Sequence, residues 1–257
     1  MQPLLLLLTL FLSLGAEAGE IIGGHAAKPH SRPYMAFIQY WNNYPEPSTC
    51  GGFLIREDFV LTAAHCNGSG MNITLGAHNI KKPEKTWQVI PVKKAIPHPK
   101  YNRNDIINDI MLLKLKRNAM KTAAVQCISL PNSKTQVNPG QECLVAGWGR
   151  TEPNGITSDT LQEVKLTVQD DQICKSRYSK YKKDIEMCVG DPETKKSSFK
   201  GDSGGPLVCK NVAQGIVSYG KNDGKPPRIF TKISSFLPWI KKTIGRHKLQ
   251  GSQLTTL

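Results

Sequence analysis

Acidic residues are scarce: 20 Asp and Glu face 34 Lys and Arg among 257 residues, a formal charge of +14 at pH 7. No acidic loop has the spacing of a calcium or magnesium site, so no metal and no cofactor are expected. Aromatic residues make up only 7% and do not interleave with the basic runs, so no specific nucleic-acid partner is indicated. Beyond residue 14 no long apolar run occurs, so no transmembrane segment is expected. Internal repeats of solenoid or propeller length are missing too.

What is present begins with an apolar stretch at residues 3–14, too short to span a bilayer and ending in the small-x-small pattern Ala16-Glu17-Ala18. Residues 1–18 therefore read as a secretory signal, although its first residues carry no Lys or Arg. Seven cysteines in a secreted chain imply disulfides with one cysteine left over, and spacing alone cannot pair them. The sequons Asn67-Gly68-Ser69 and Asn72-Ile73-Thr74 offer two glycosylation acceptors in the same compartment. The basic excess, carried by Lys81-Lys82, Lys93-Lys94, Lys114, Lys116, Arg117, Lys180, Lys182, Lys183 and Lys241-Lys242, suits a polyanion. A sulfated proteoglycan such as heparin is the preferred partner.

Between residues 34 and 232 the chain alternates short β-type runs with Gly, Pro and Asn punctuation. Strands are expected at 34–40, 52–55, 59–63, 72–75, 88–93, 110–115, 142–146, 161–167, 186–189, 206–209, 213–218 and 228–232, an all-β barrel or sandwich. Only the end reads as helical, with Ser235 as N-cap, Pro238 in the first turn and Phe236, Ile240 and Ile244 on one face. A domain boundary is expected near 116–124, and residues 247–257 read as a fraying tail.

Gly201-Asp202-Ser203-Gly204-Gly205-Pro206 is a loop that would expose a serine beside backbone N–H groups. A serine hydroxyl is a poor nucleophile until a base takes its proton. His65, at the end of Leu61-Thr62-Ala63-Ala64-His65-Cys66, is the candidate base. Asp109 precedes the apolar run Ile110-Met111-Leu112-Leu113, which draws its carboxylate inward, where a histidine Nδ1–H would satisfy it. His65 and Asp109 lie before the expected boundary and Ser203 after it, which places any site joining them in an interdomain cleft.

These segments, with Ile21-Ile22-Gly23-Gly24 and Gly147-Trp148-Gly149, stand in the order seen in trypsin/chymotrypsin-like serine proteases, and the chain resembles that family's granzyme branch over residues 21–246. The resemblance implies two packed six-stranded antiparallel β-barrels with a C-terminal α-helix. By resemblance Ser203 is the nucleophile, His65 the general base and acid, Asp109 its orienter, and the N–H groups of Gly201 and Ser203 the oxyanion hole. Gly19-Glu20 becomes an activation dipeptide removed after Glu20 by a dipeptidyl peptidase, and Asp202 pairs with the freed α-amino group of Ile21. The cysteines pair as Cys50–Cys66, Cys143–Cys209 and Cys174–Cys188, leaving Cys127 free and inert. Ser197 forms a pocket floor without charge, Ser198, Phe199 and Lys200 one wall, and Ser218, Tyr219 and Gly220 the opposite wall, whose backbone pairs with substrate. Arg228 falls at the position of the arginine that makes some granzymes cleave after Asp.

The implied biology is storage in cytotoxic lymphocyte granules, secretion and delivery into target cells, proteolysis of caspases and other death substrates, and inhibition by serpin-type proteins. Two rival readings are a chymase or cathepsin G-like protease of apolar specificity, which Arg228 opposes, and an inactive cationic antimicrobial or binding homologue, which the intact Ser203, His65 and Asp109 oppose.

Overall fold

The computed structural model describes residues 21–132 and 135–253; the expected signal at 1–18 and the dipeptide 19–20 lie outside the described residues. In chain order the strands are β1 (His25–Ala26), β2 (Met35–Trp41), β3 (Ser48–Arg56), β4 (Phe59–Thr62), β5 (Ser69–Leu75), β6 (Gln88–Pro97), β7 (Met111–Leu115), β8 (Glu142–Gly147), β9 (Gln162–Thr167), β10 (Glu186–Val189), β11 (Pro206–Cys209), β12 (Val212–Tyr219) and β13 (Arg228–Lys232). All twelve expected strands form, with ends shifted by several residues at some; β1 is additional.

Strands β2 to β7 close into a six-stranded antiparallel barrel in the order β2-β3-β4-β7-β6-β5. Phe53, Leu54, Phe59, Leu61, Ile73, Ile90 and Leu113 fill it and are fully buried. Near-continuous apolar stretches such as Phe59–Thr62 and Met111–Leu115 pack on both faces, which is why these strands lack a simple alternation. The second half differs from a six-stranded barrel: it is a seven-stranded sheet, β1-β9-β8-β11-β12-β13-β10. The seventh strand is β1, held to β9 by the pairs His25↔Glu163 and Ala26↔Gln162. The chain after β9 approaches β10 through a single Val168↔Val189 bridge. Ile21, Val145, Leu166, Leu207 and Phe230 form its core.

One helix has no counterpart in the sequence reading. Helix α1 (Asp171–Arg177) is capped by Asp170, whose Oδ1 accepts from Gln172 N at 2.8 Å, with Asp171 in its first turn and Lys175 and Arg177 in its last. Only Cys174 on it is buried, so it carries no apolar stripe to find. At the C-terminus Ser235 is not an N-cap. It lies within a 3-10 turn (Ile233–Phe236), its hydroxyl donating to Asp184 O at 2.5 Å, and α2 (Leu237–Gln253) starts after it. The apolar face is as expected: Phe236 and Ile240 are buried and Ile244 is half-buried against the first-barrel cluster. Helix α2 runs past the boundary expected at 247, with the His247 ring 5.8 Å from Phe59; residues 254–257 lie outside the described residues.

Cys50–Cys66, Cys143–Cys209 and Cys174–Cys188 are disulfides, and Cys127 is free and half-buried. Burial pushes the Cys127 thiol above its ordinary pKa, which disfavours the reactive thiolate. Among the described residues no helix is long and apolar enough to cross a membrane.

Candidate active site

His65 sits in a one-turn 3-10 segment (Ala64–Cys66) directly after β4, held from below by the Cys50–Cys66 disulfide. Its backbone N–H donates to Asp109 Oδ1 at 2.9 Å, and its Nδ1 lies 2.7 Å from Asp109 Oδ2. That contact places the ring proton on Nδ1 and leaves Nε2 as a base. Asp109 is 1% exposed, and its carboxylate accepts a third bond from Ser218 Oγ at 2.5 Å. The Asp109 carbonyl accepts from Thr231 Oγ1 at 2.7 Å. Because Ser218 and Thr231 stand on β12 and β13, both halves of the molecule fix Asp109, Ser218 through its carboxylate and Thr231 through its carbonyl.

Burial pulls the His65 pKa down, but the charge and hydrogen bond of Asp109 outweigh it and leave the imidazole above its ordinary value. A base must be neutral to work, so raising this pKa moves the loss of activity on acidification to higher pH. The acid limb of a kcat/KM profile is accordingly expected with its midpoint above about 6.5; a midpoint below that value would contradict the Asp109 coupling.

The loop 201–206 is shaped by glycines. Gly201 has φ +104° and a Cβ there would stand 2.7 Å from Gly149 Cα; Gly204 has φ +82° and a Cβ there would meet Thr62 Oγ1 at 2.1 Å. The N–H groups of Asp202, Gly204 and Gly205 donate to Phe199 O, Val217 O and Asp202 O. No acceptor among the described residues takes the N–H of Gly201 or Ser203. Ser203 is locked through its carbonyl, which accepts from Gly51 N at 2.8 Å and lies 3.8 Å from Cys66 Sγ. The loop is thereby pinned beside the turn that carries His65.

Asp202 is fully buried, and burial raises its pKa to about 7. Its Oδ1 accepts from Gly149 N at 2.9 Å and its Oδ2 from Phe199 N at 2.8 Å. A Cβ on Gly147 or Gly149 would come within 2.2 Å or 2.5 Å of this carboxyl group, so Gly147-Trp148-Gly149 is the cage that admits it. Ile21 is fully buried, and Ile22 O accepts from Ser197 N at 3.0 Å, docking residues 21–24 against the stretch that leads into Asp202. Gly24 is obligatory there, since a Cβ would meet Ile21 Cγ2 at 2.2 Å.

Arg228 is 8% exposed although it is a strong cation. Its guanidinium lies 5.3 Å from the centre of the Phe199 ring, and a Cβ on Gly220 would stand 2.5 Å from its Cζ. One Nη donates to Lys221 O at 2.9 Å, while Nε is buried without an acceptor. No carboxylate among the described residues forms an ion pair with it. Burial lowers its pKa from the ordinary arginine value, although the charges of Asp202 and Asp223 act the other way without touching it as ion pairs.

The remaining pocket candidates are distributed less simply. Ser197 and Ser198 are buried; Ser197 Oγ donates to Ser198 O at 3.0 Å and Ser198 Oγ has no protein partner. Lys200 is exposed. Ser218 and Tyr219, expected to offer substrate their backbone, both turn their side chains inward, Ser218 to Asp109 and the Tyr219 hydroxyl to Glu186 at 3.3 Å. The roles of Ser218, Thr231 and Gly51 in fixing the site were not legible in sequence, because each depends on a contact across the cleft. The sulfurs of Cys50 and Cys66 lie close to His65, but the disulfide consumes both as metal ligands.

The family model "Trypsin" matches residues 21–240. Human granzyme B is 64% identical over 248 residues, covering 96% of this chain and 100% of the relative, and mouse cathepsin G is 58% identical over 247 residues, covering 96% and 94%. A solved chain described as "Structure of GrC" superposes with TM-score 0.85 at 57% identity, covering 88% of this chain and 100% of that one. With the Ser203 loop pinned beside the turn that carries the Asp109–His65 pair and with matches of this extent, the chain belongs to the trypsin family of serine endopeptidases, and its relatives are granzymes and their neighbours.

Proposed function

We propose that this protein is a granule-stored endopeptidase that cleaves after Asp and, less readily, after Glu. The observation that carries the reading is Arg228, buried between Phe199 and Gly220 without a carboxylate of its own. A guanidinium held in a partly dry pocket is completed by a planar anion. The length of the substrate side chain then decides between Asp and Glu. Cathepsin G-like relatives keep the apolar alternative open at the level of the family, and Arg228 is what argues against it here.

In this reading Ser203 attacks the carbonyl, His65 takes its proton and returns it to the departing amine, and Asp109 holds the histidine with help from Ser218. The free N–H groups of Gly201 and Ser203 receive the oxyanion. Removal of Gly19-Glu20 by a dipeptidyl peptidase frees the α-amino group of Ile21, which neutralises Asp202 and orders the loop. The relatives' names support a secreted or granule location. Delivery into target cells, cleavage of death substrates such as caspases, and control by serpin-type inhibitors belong to the same proposal. The apolar reading and the inactive-scaffold reading are separated by one panel: tetrapeptides ending in Asp, Glu, Phe, Leu or Lys, run beside a fluorophosphonate probe that reacts only with an activated serine. Labelling together with fastest turnover after Asp is expected; turnover led by Phe, Leu or Lys contradicts it.

The basic surface is assigned to sulfated proteoglycan. Its affinity for heparin is expected to fall steeply and linearly on a log–log plot against salt, because each neutralised sulfate releases a counterion. A flat salt response would remove the electrostatic basis.

A further inference from the structure

A cavity of about 550 Å³ is lined by His65, Tyr40, Trp41, Tyr44, Asn67 and Arg103 among others, and by none of the residues around Arg228. Its walls, His65 included, come from the first barrel and its loops, whereas Phe199, Gly220 and Arg228 belong to the second half. In the proposed mechanism His65 hands its proton to the departing amine, so a cavity that shares His65 and none of the residues around Arg228 is assigned to the segment after the cut bond. Trp41 and Tyr44 are 47% and 71% exposed on this wall, the Trp41 ring resting with one edge against Gly70.

Asn67 opens the sequon Asn67-Gly68-Ser69 and is exposed two residues after His65. Its backbone is rigid: its N–H donates to Ala64 O at 3.2 Å, closing the turn that bears His65. The next residue is clamped against β2, because a Cβ on Gly68 would meet Trp41 O at 2.4 Å and Tyr40 Cδ2 at 2.5 Å. The acceptor amide thus stands on a fixed stalk at the mouth of the cavity. Asn72, the other acceptor, lies within β5, and its Nδ2 donates weakly to Gly70 O at 3.4 Å.

We propose that an N-linked glycan on Asn67 gates the leaving-group side of the cleft, slowing substrates that extend past the cut bond while sparing those that end there. The inference rests on the assignment of His65 and Ser203 to catalysis. In the secretory pathway Asn67 Nδ2 displaces the lipid diphosphate from a lipid-linked oligosaccharide, forming the sugar C1–Nδ2 bond and releasing lipid diphosphate and one amide proton. The bulky sugar then lies over Trp41 and Tyr44, where the departing segment must pass. The pocket around Arg228 stays open, so recognition of the residue before the bond is unchanged.

The test uses enzyme secreted from glycosylating cells: wild type, wild type trimmed by an endoglycosidase to one sugar per site, Ser69→Ala, and Asn72→Gln as the control for the other sequon. Each is assayed on a peptide ending in Asp with a small reporter leaving group, and on the same peptide extended by four residues. Expected are a mass assigning a glycan to Asn67, at least a five-fold gain in kcat/KM on the extended peptide for the trimmed and Ser69→Ala enzymes, and equal rates on the short peptide for all four. An unmodified Asn67, or an extended-peptide rate that trimming leaves unchanged, overturns the gate. Failure of every preparation on the short peptide would instead overturn the catalytic assignment beneath it, and the gate with it.

Discussion

Replacing Arg228 with Gly is expected to lower kcat/KM for cleavage after Asp by about 10²–10³, and to admit Phe or Leu in its place. At about 4 Å and an effective dielectric near 20, a guanidinium and a carboxylate attract by on the order of 4 kcal/mol before desolvation, an upper bound of about a thousand-fold. Part of that is lost to stripping water from the incoming carboxylate. Less is lost on the enzyme side, because Arg228 is already buried and one nitrogen already lacks an acceptor. With Gly at 228, the space bordered by Phe199 and the Gly220 backbone becomes uncharged and deeper. The fold should survive, since Arg228 makes one side-chain hydrogen bond and no ion pair among the described residues. Rates on matched Asp and Phe peptides test this directly: a variant that keeps its Asp preference would show that the arginine does not read the substrate.

The second large effect concerns activation. Enzyme beginning at Ile21 is expected to exceed the form beginning at Gly19 by two orders of magnitude or more, and Asp202→Asn in the Ile21 form should erase most of that gain. Asp202 is completely buried, and burial raises its pKa to about 7 against the two backbone donors and the charge of Arg228. A cation supplied at that carboxylate stabilises the charged form. Removing one partner of a buried pair costs about 3–5 kcal/mol. The same loop carries the Gly201 and Ser203 N–H groups, and loss of an oxyanion donor costs about 10²–10³ in rate. The sign with pH follows. With its pKa raised to about 7, buried Asp202 costs stability as pH rises from its ordinary value toward 7, and the Ile21 ammonium, by favouring the carboxylate, removes that cost. Active-site titration of both forms with a fluorophosphonate, across pH, separates poor ordering from poor chemistry. Equal titration and equal rates for the Gly19 and Ile21 forms would contradict the latch.

The sequence disclosed the chemistry more readily than the geometry that supports it. Ser203, His65 and Asp109 were legible because glycines, a strand end and an apolar run each leave a local signature. Ser218 was legible only as part of a wall, since its bond to Asp109 joins residues 109 positions apart. Helix α1 went unseen because one buried cysteine makes no periodicity, although Asp170 and Asp171 at its start and Lys175 and Arg177 at its end were a usable polar signal. The seventh strand of the second sheet escaped for a similar reason: two exposed residues, His25 and Ala26, are too few to alternate. Gly147 and Gly149 stood out as a motif, but their purpose emerged only when each proved too close to Asp202 to carry a side chain.

The charge state of the pocket is the central claim, and mapping cleavage sites tests it most directly. Ile21-starting enzyme should be given a complex mixture of peptides, and the new termini read by mass spectrometry. Asp should precede the great majority of the cut bonds, with Glu a distant second; cuts led by Phe, Leu, Lys or Arg would contradict the assignment of Arg228 to the substrate pocket.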